Sequence, residues 1–219
     1  SILMLEFIFY MLAETTPFHL FAYVPFWNHL RFSKKTTVIL LLAEQAVFMI
    51  EFFILIRLGF SAALAQCCAI PLYGPLFFYF VKMYYRKIAF LYIFTTDYLM
   101  TIVGLVSFLG QSSGTFTLFT WQAGVLILFF FFLTLPFMLH YICTTAKLIF
   151  AINAPALWKK LWLLPLFTSL IVISFTYPAE SLTLRALFAR IFLMICMLLI
   201  YYQIIQMIQQ FQKQAAAEE

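Results

Sequence analysis

The stretch VLILFFFFLTLPFML, residues 125–139, decides the fold class. It contains no charge and does not alternate apolar with polar residues. A strand of a membrane barrel would alternate. Together with its flanks it exceeds the roughly 20 apolar residues that carry an α-helix across about 30 Å of hydrocarbon. Runs of the same kind recur through the chain of 219 residues, of which 66% are hydrophobic and only 10% charged. A water-soluble domain of this size has no interior large enough for so much apolar surface. The sequence therefore predicts an all-α, polytopic transmembrane helical bundle.

Seven spans are expected, at about 3–26, 37–58, 61–81, 88–110, 117–144, 161–177 and 184–208. The first run lacks a basic leading segment and a small-residue cleavage site, so it reads as a span and not as a signal peptide. Ser1, standing where an initiator Met would be, reads as a cloning remnant. Arg31, Lys34 and Lys35 follow span one, and Lys82, Arg86 and Lys87 follow span three. Lys147, Lys159 and Lys160 follow span five, and Lys213 follows span seven. Ten of the thirteen basic residues thus fall on one side, leaving Arg57, Arg185 and Arg190 on the other. The positive-inside rule makes the richer side cytoplasmic, with the N-terminus outside and the C-terminus inside. Trp27, Trp158 and Trp162 fall at the cytoplasmic boundary, where amphipathic rings settle. The segment AKLIFAINAPALWKK, 146–160, is apolar enough to lie along the interface, and span six is short and contains Pro165.

Polar residues inside spans are costly and each is a candidate site. Glu6, Glu14 and His19 lie in span one, Glu44 and Glu51 in span two, Asp97 near the middle of span four, and His140 in span five. Glu44 and Glu51 are seven apart and share a helical face, with Val47 and Phe48 between them, which should point into the bundle. Depth along the helices places Glu6, Glu51, Arg57 and Arg190 in the outer half. That cluster reads either as structural pairs, Glu51 with Arg190 above all, or as a ligand-binding mouth. Asp97, flanked by Thr95 and Thr96, reads either as a hydrogen-bonded structural carboxyl or as a proton or cation site. His19 and His140 lack enough partners for a metal, so no metal or other cofactor is expected. Cys67, Cys68, Cys143 and Cys196 read as small buried hydrophobes. Pro17, Pro71, Pro75, Pro136 and Pro165 each remove a backbone donor within a span. No catalytic motif or phosphate-binding glycine loop is present, and an enzymatic role is not expected of this segment. Nor is nucleic acid an expected partner.

The chain ends LLIYYQIIQMIQQFQKQAAAEE, 198–219, where an apolar helix pattern runs on into glutamines with no glycine or proline to stop it. Met197, Tyr201, Ile204, Ile208, Phe211 and Ala215 are spaced 4, 3, 4, 3, 4. This is a heptad seam that crosses the membrane boundary, and it suggests the start of a parallel coiled coil. The chain accordingly divides into a membrane domain, 1–205, and the opening of a cytoplasmic coiled coil, 206–219.

Seven apolar spans, an outside N-terminus, minimal loops and a glutamine-rich exit helix resemble the N-terminal sensor region of bacterial polytopic sensor histidine kinases. The nearest type is the peptide-pheromone quorum-sensing receptor kinases. The resemblance is architectural and carries no ligand-contact residue across. It implies a homodimer in the bacterial cytoplasmic membrane, surrounded by membrane lipids and responding to a small peptide or lipophilic ligand. In that family the exit helix feeds a histidine-bearing dimerisation helix and an ATP-binding domain. None of His19, His29 or His140 lies on an exit coiled coil, so none matches the phosphoacceptor. Two other classes stay open: a small transporter or substrate-capture subunit using Asp97, Glu44 and Glu14, and an assembly protein without a ligand.

Overall fold

The computed structural model describes residues 2–61, 64–65, 70–176 and 183–218. Eight α-helices follow one another within those residues: α1 Ile2–Tyr23, α2 Lys34–Arg57, α3 Ile70–Phe80, α4 Tyr85–Ser113, α5 Trp121–Ala151, α6 Pro155–Leu161, α7 Leu163–Thr176 and α8 Leu184–Glu218. The chain is an all-α bundle. Four helices, α2, α4, α5 and α8, are long and apolar enough to cross a membrane. α1 has 22 residues, enough length for a crossing, but carries Glu6, Glu14 and His19. α3 and α7 are described over 11 and 14 residues. The candidate thiols Cys67 and Cys68, and nearly all of the third outer loop, lie outside the described residues.

The local chemistry of the helix ends is visible in the sequence. Ser33 caps α2 by accepting the Thr36 amide at 3.2 Å, and Thr120 caps α5 by accepting that of Ala123 at 3.5 Å. α4 stops at Gly114, whose φ of 66° is the left-handed conformation that glycine adopts without strain. The segment 146–160 divides at Ile152–Ala154: its first part extends α5 to Ala151, and Pro155 starts α6, where its missing N–H is not needed. Pro165 falls in the first turn of α7 for the same reason and interrupts no ladder. Trp158 is fully buried, not interfacial, and donates its indole N–H to the Ile152 carbonyl at 3.3 Å.

α4 is the centre of the bundle, packing against α1, α5, α6, α7 and α8. Its buried face runs from Lys87 through Phe90, Phe94, Asp97 and Ile102 to Gly110. α1 packs along α5 and α4, α8 packs on α4, α5 and α7, and α2 packs on α3. Close approach is bought with glycine at two points. A Cβ on Gly124 of α5 would lie 2.8 Å from the Phe9 ring and 3.4 Å from the Tyr10 backbone of α1. A Cβ on Gly104 of α4 would overlap the Arg190 guanidinium of α8, which is 1% exposed.

The basic segments after α1, α3 and α5 meet at one end of the bundle. Leu30 and Val81 form an antiparallel bridge, with Arg31 N–H donating to the Phe80 carbonyl at 2.8 Å and Lys82 N–H to that of His29 at 2.7 Å. Arg31 Nε also donates to the Tyr79 carbonyl at 2.7 Å, and Lys87 Nζ reaches the Phe150 carbonyl at 3.4 Å.

Gly104→Ala should lower the unfolding free energy in detergent by about 1–3 kcal/mol, because Arg190 has to move from a packed site. Gly74→Ala, with nothing within 4 Å of the added methyl, should not lower it. Thermal unfolding of the two variants in the same detergent checks the contrast.

Candidate functional site

Among the described residues, a network of buried and half-buried polar contacts lies where α1, α2, α3 and α4 come together. Glu44 of α2 is 4% exposed, and its Oε2 stands 3.1 Å from Nε2 of His19 on α1. Next to it Gln45 donates to Thr16 Oγ1 at 2.7 Å and to Thr15 Oγ1 at 3.3 Å, and accepts the Tyr73 hydroxyl of α3 at 2.6 Å. Adjacent residues of α2 therefore tie three helices together. The spacing explains the α1 side: Thr15, Thr16 and His19 are three and four apart and share one face. Pro17 lies inside this turn and cannot donate to the ladder.

Aromatic rings enclose the pair. The ring of His19 lies 4.6 Å from that of Tyr73 and 5.2 Å from that of Tyr23. Tyr23 continues to Phe77 at 4.6 Å, and Phe77 to Tyr92 at 4.8 Å. Tyr23, Tyr73 and Tyr92 all lie within electrostatic range of Glu44. Beside His19 is a cavity of about 100 Å³ whose polar lining comes from Thr15, His19, Tyr73, Tyr92, Thr95 and Thr96.

A second buried polar group joins α4, α7 and α8. Asp97 is 1% exposed and accepts the Ser169 hydroxyl at 2.5 Å. One residue away, Thr168 meets the Tyr201 hydroxyl at 3.1 Å. Asp97 is thus hydrogen-bonded across helices, while its neighbours Thr95 and Thr96 donate back to the Leu91 and Tyr92 carbonyls of their own helix.

The four outer candidates have separate surroundings. Glu6 lines an open cleft of about 530 Å³ formed with Gly110, Gln111 and the 114–122 segment. Arg57 is exposed at the end of α2, its guanidinium 5.4 Å above the Phe53 ring one turn back. Glu51 is half-buried on α2, and Arg190 is buried on α8 against Gly104. The expected pairing of Glu51 with Arg190 is not found among the described residues. α2 packs on α3 and α8 on α4, α5 and α7, so similar depth does not make the two helices neighbours.

The face expected between Glu44 and Glu51 needs one correction. Leu41, Glu44, Phe48 and Phe52 are buried, but Val47 is 51% exposed. Val47 lies three residues from Glu44 and falls on the other side of the stripe that Phe48, four away, continues. Glu14 is buried on α1 beside Tyr10, whereas His140 is exposed on α5. Cys143 is half-buried, and Cys196, expected inside, is exposed on an apolar face of α8.

The proposed seam on α8 divides into two parts. Met197 and Tyr201 are buried in this chain's own bundle, Tyr201 with its ring 5.1 Å from that of Phe90. Ile204 and Ile208 pack partly against the core. Phe211, 66% exposed, and Ala215 point away from it. Residues that the sequence reading missed are Gln45, Tyr73 and the Thr15–Thr16 pair. The signal for Gln45, Thr15 and Thr16 was their place beside, or one turn from, Glu44 and His19; Tyr73, on another helix, carried no such signal.

Comparison with family models, curated proteins and solved structures finds no match to this chain.

Gln45→Leu removes a side chain that bonds to three others and leaves the Tyr73 hydroxyl without its acceptor. It should destabilise the bundle by about 1–3 kcal/mol. Val47→Leu, on the exposed side of the same helix, should change stability by less than about 0.5 kcal/mol. Chemical unfolding in micelles followed by circular dichroism distinguishes the two.

Proposed function

We propose that the chain is the membrane-embedded sensor domain of a bacterial signalling protein, and that its last helix passes the signal to a C-terminal histidine kinase. The observation that carries this reading is α8. It is one unbroken helix of 35 residues, about 50 Å long. It begins beside the core of α4, contributes Leu187, Arg190, Met194, Met197, Tyr201 and Ile205 to the buried bundle, and ends in exposed residues from Lys213 to Glu218. A ligand acts at a distance only by favouring one of two arrangements of a shared element, and α8 spans both regions.

In this reading the chain crosses the cytoplasmic membrane seven times, with the N-terminus outside and the basic end of the bundle in the cytoplasm. A small peptide or lipophilic ligand reaches the open cleft beside Glu6 or enters from the lipid. The homodimer seam then starts near Phe211, since Met197 and Tyr201 are engaged within the chain. The cavity beside His19 favours a second reading, a transporter or substrate-capture subunit with Glu44 on its path.

The test is a series of insertions after Gln206 in the longer chain that this reading requires. One residue rotates everything downstream by about 100°, whereas seven restore the phase to within about 20°. Kinase output should therefore vary with insertion length at a period near seven, with ligand binding unchanged. Equal output for all insertions from one to seven residues would make α8 a tether and refute the reading.

A further inference from the structure

We infer that the cavity between α1, α3 and α4 is a binding site for a small organic ammonium cation. This goes beyond the sensor reading and does not depend on it. The argument starts from where the hydroxyl protons go. A threonine has one O–H to donate and two lone pairs that accept. Thr15 donates to the Met11 carbonyl at 2.6 Å, Thr95 to that of Leu91 at 3.1 Å and Thr96 to that of Tyr92 at 3.1 Å. Tyr73 donates to Gln45 Oε1 at 2.6 Å. Four hydroxyls on the wall have thus committed their protons elsewhere, and what they offer inward is acceptor lone pairs. No lysine or arginine lines the cavity.

Charge and aromatic faces point the same way. Glu44 stands behind His19. Its Oε1 is buried and has no hydrogen-bond partner among the described residues, while Oε2 meets His19. The rings of Tyr73 and Tyr92 border the cavity, and aromatic rings contribute to cation binding, the more so when the cation is desolvated. Four committed hydroxyls, the buried carboxyl side chain of Glu44 and bordering rings, on a wall otherwise made of Phe18, Ala22, Leu99 and the Tyr92 hydroxyl, suit a small cation with an apolar tail better than an anion. They suit an ammonium better than a metal ion. Among the described residues no group of three metal-ligating side chains exists, and rings offer a metal no lone pair. The volume of about 100 Å³ is well above the roughly 10–15 Å³ that a single water needs, so the site has room for a head group of several heavy atoms.

Equilibrium dialysis of radiolabelled ethylammonium against the purified chain in detergent tests this directly. Saturable binding is expected, displaced by unlabelled ethylammonium and not by ethanol or acetate at equal concentration. Glu44→Gln keeps the size of the side chain and replaces its carboxyl by an amide, and should weaken binding at least about tenfold. Thr95→Val keeps the shape of the wall and removes one acceptor, and should weaken binding severalfold with the fold intact by circular dichroism. It decides the matter should Glu44→Gln fail to fold. Absence of saturable binding, displacement by ethanol as effective as by ethylammonium, or unchanged affinity in a folded Thr95→Val or Glu44→Gln variant would each overturn the assignment.

Discussion

Hydrocarbon offers no hydrogen bonds, so each polar side chain on an apolar helix has to find its partner inside the bundle or lose several kcal/mol. That constraint organises this molecule. The lone threonines solve it locally: Thr15, Thr95, Thr96, Thr101, Thr134 and Thr168 each donate to the carbonyl four residues back. Longer polar side chains solve it between helices and so decide which helices are neighbours. Glu44 and Gln45 attach α2 to α1 and α3, and Asp97 attaches α4 to α7 through Ser169. Tyr141 does the same between α5 and α8, its hydroxyl donating to the Leu198 carbonyl at 2.6 Å.

Apolar packing then fills the frame. α4 supplies the common wall, and the other helices approach it as closely as their side chains allow. Tyr98 of α4 packs edge-on against Phe18 of α1, whose ring in turn meets Phe131 of α5 at 4.9 Å. Between helices in lipid the driving force is packing and hydrogen bonding, because lipid tails are as apolar as the side chains they would replace. Glycine at 104 and 124 therefore matters for contact: it lets α8 and α1 close on their partners. α2 lacks such a close seam with α1. Its attachment there rests on the polar side chains, with apolar grooves of about 280 and 210 Å³ on either side of them.

The helical class was legible in the sequence because a run such as 125–139 has no other stable form in hydrocarbon. The inward direction of Glu44 and Asp97 was legible too, since their charge forbids the lipid face. Their partners were not. Spacing along one helix says which residues share a face, but not which helix lies opposite. That is set by the connections and by where glycines allow close contact. Arg190 illustrates the limit: depth alone suggested Glu51, whereas α8 packs on α4 and brings Arg190 to Gly104. Met197 and Tyr201 illustrate another. A heptad spacing serves a dimer seam and an intramolecular contact equally well, and here the first half of the stripe is engaged by α4 and α7. The helix ends shifted for local reasons, at Pro155 and Gly114, that composition alone does not locate.

The account rests on polar contacts holding α2 to its neighbours, with His19 and Glu44 as the ionisable pair among them. A double-mutant cycle with His19→Phe and Glu44→Leu measures that contact most directly, as unfolding free energy in one detergent. Each single change strands a buried polar group and should cost about 3–5 kcal/mol. The double change strands none and should cost less than the sum of the two by at least about 1 kcal/mol. Strictly additive losses would mean that the two side chains do not stabilise each other, and would contradict the account.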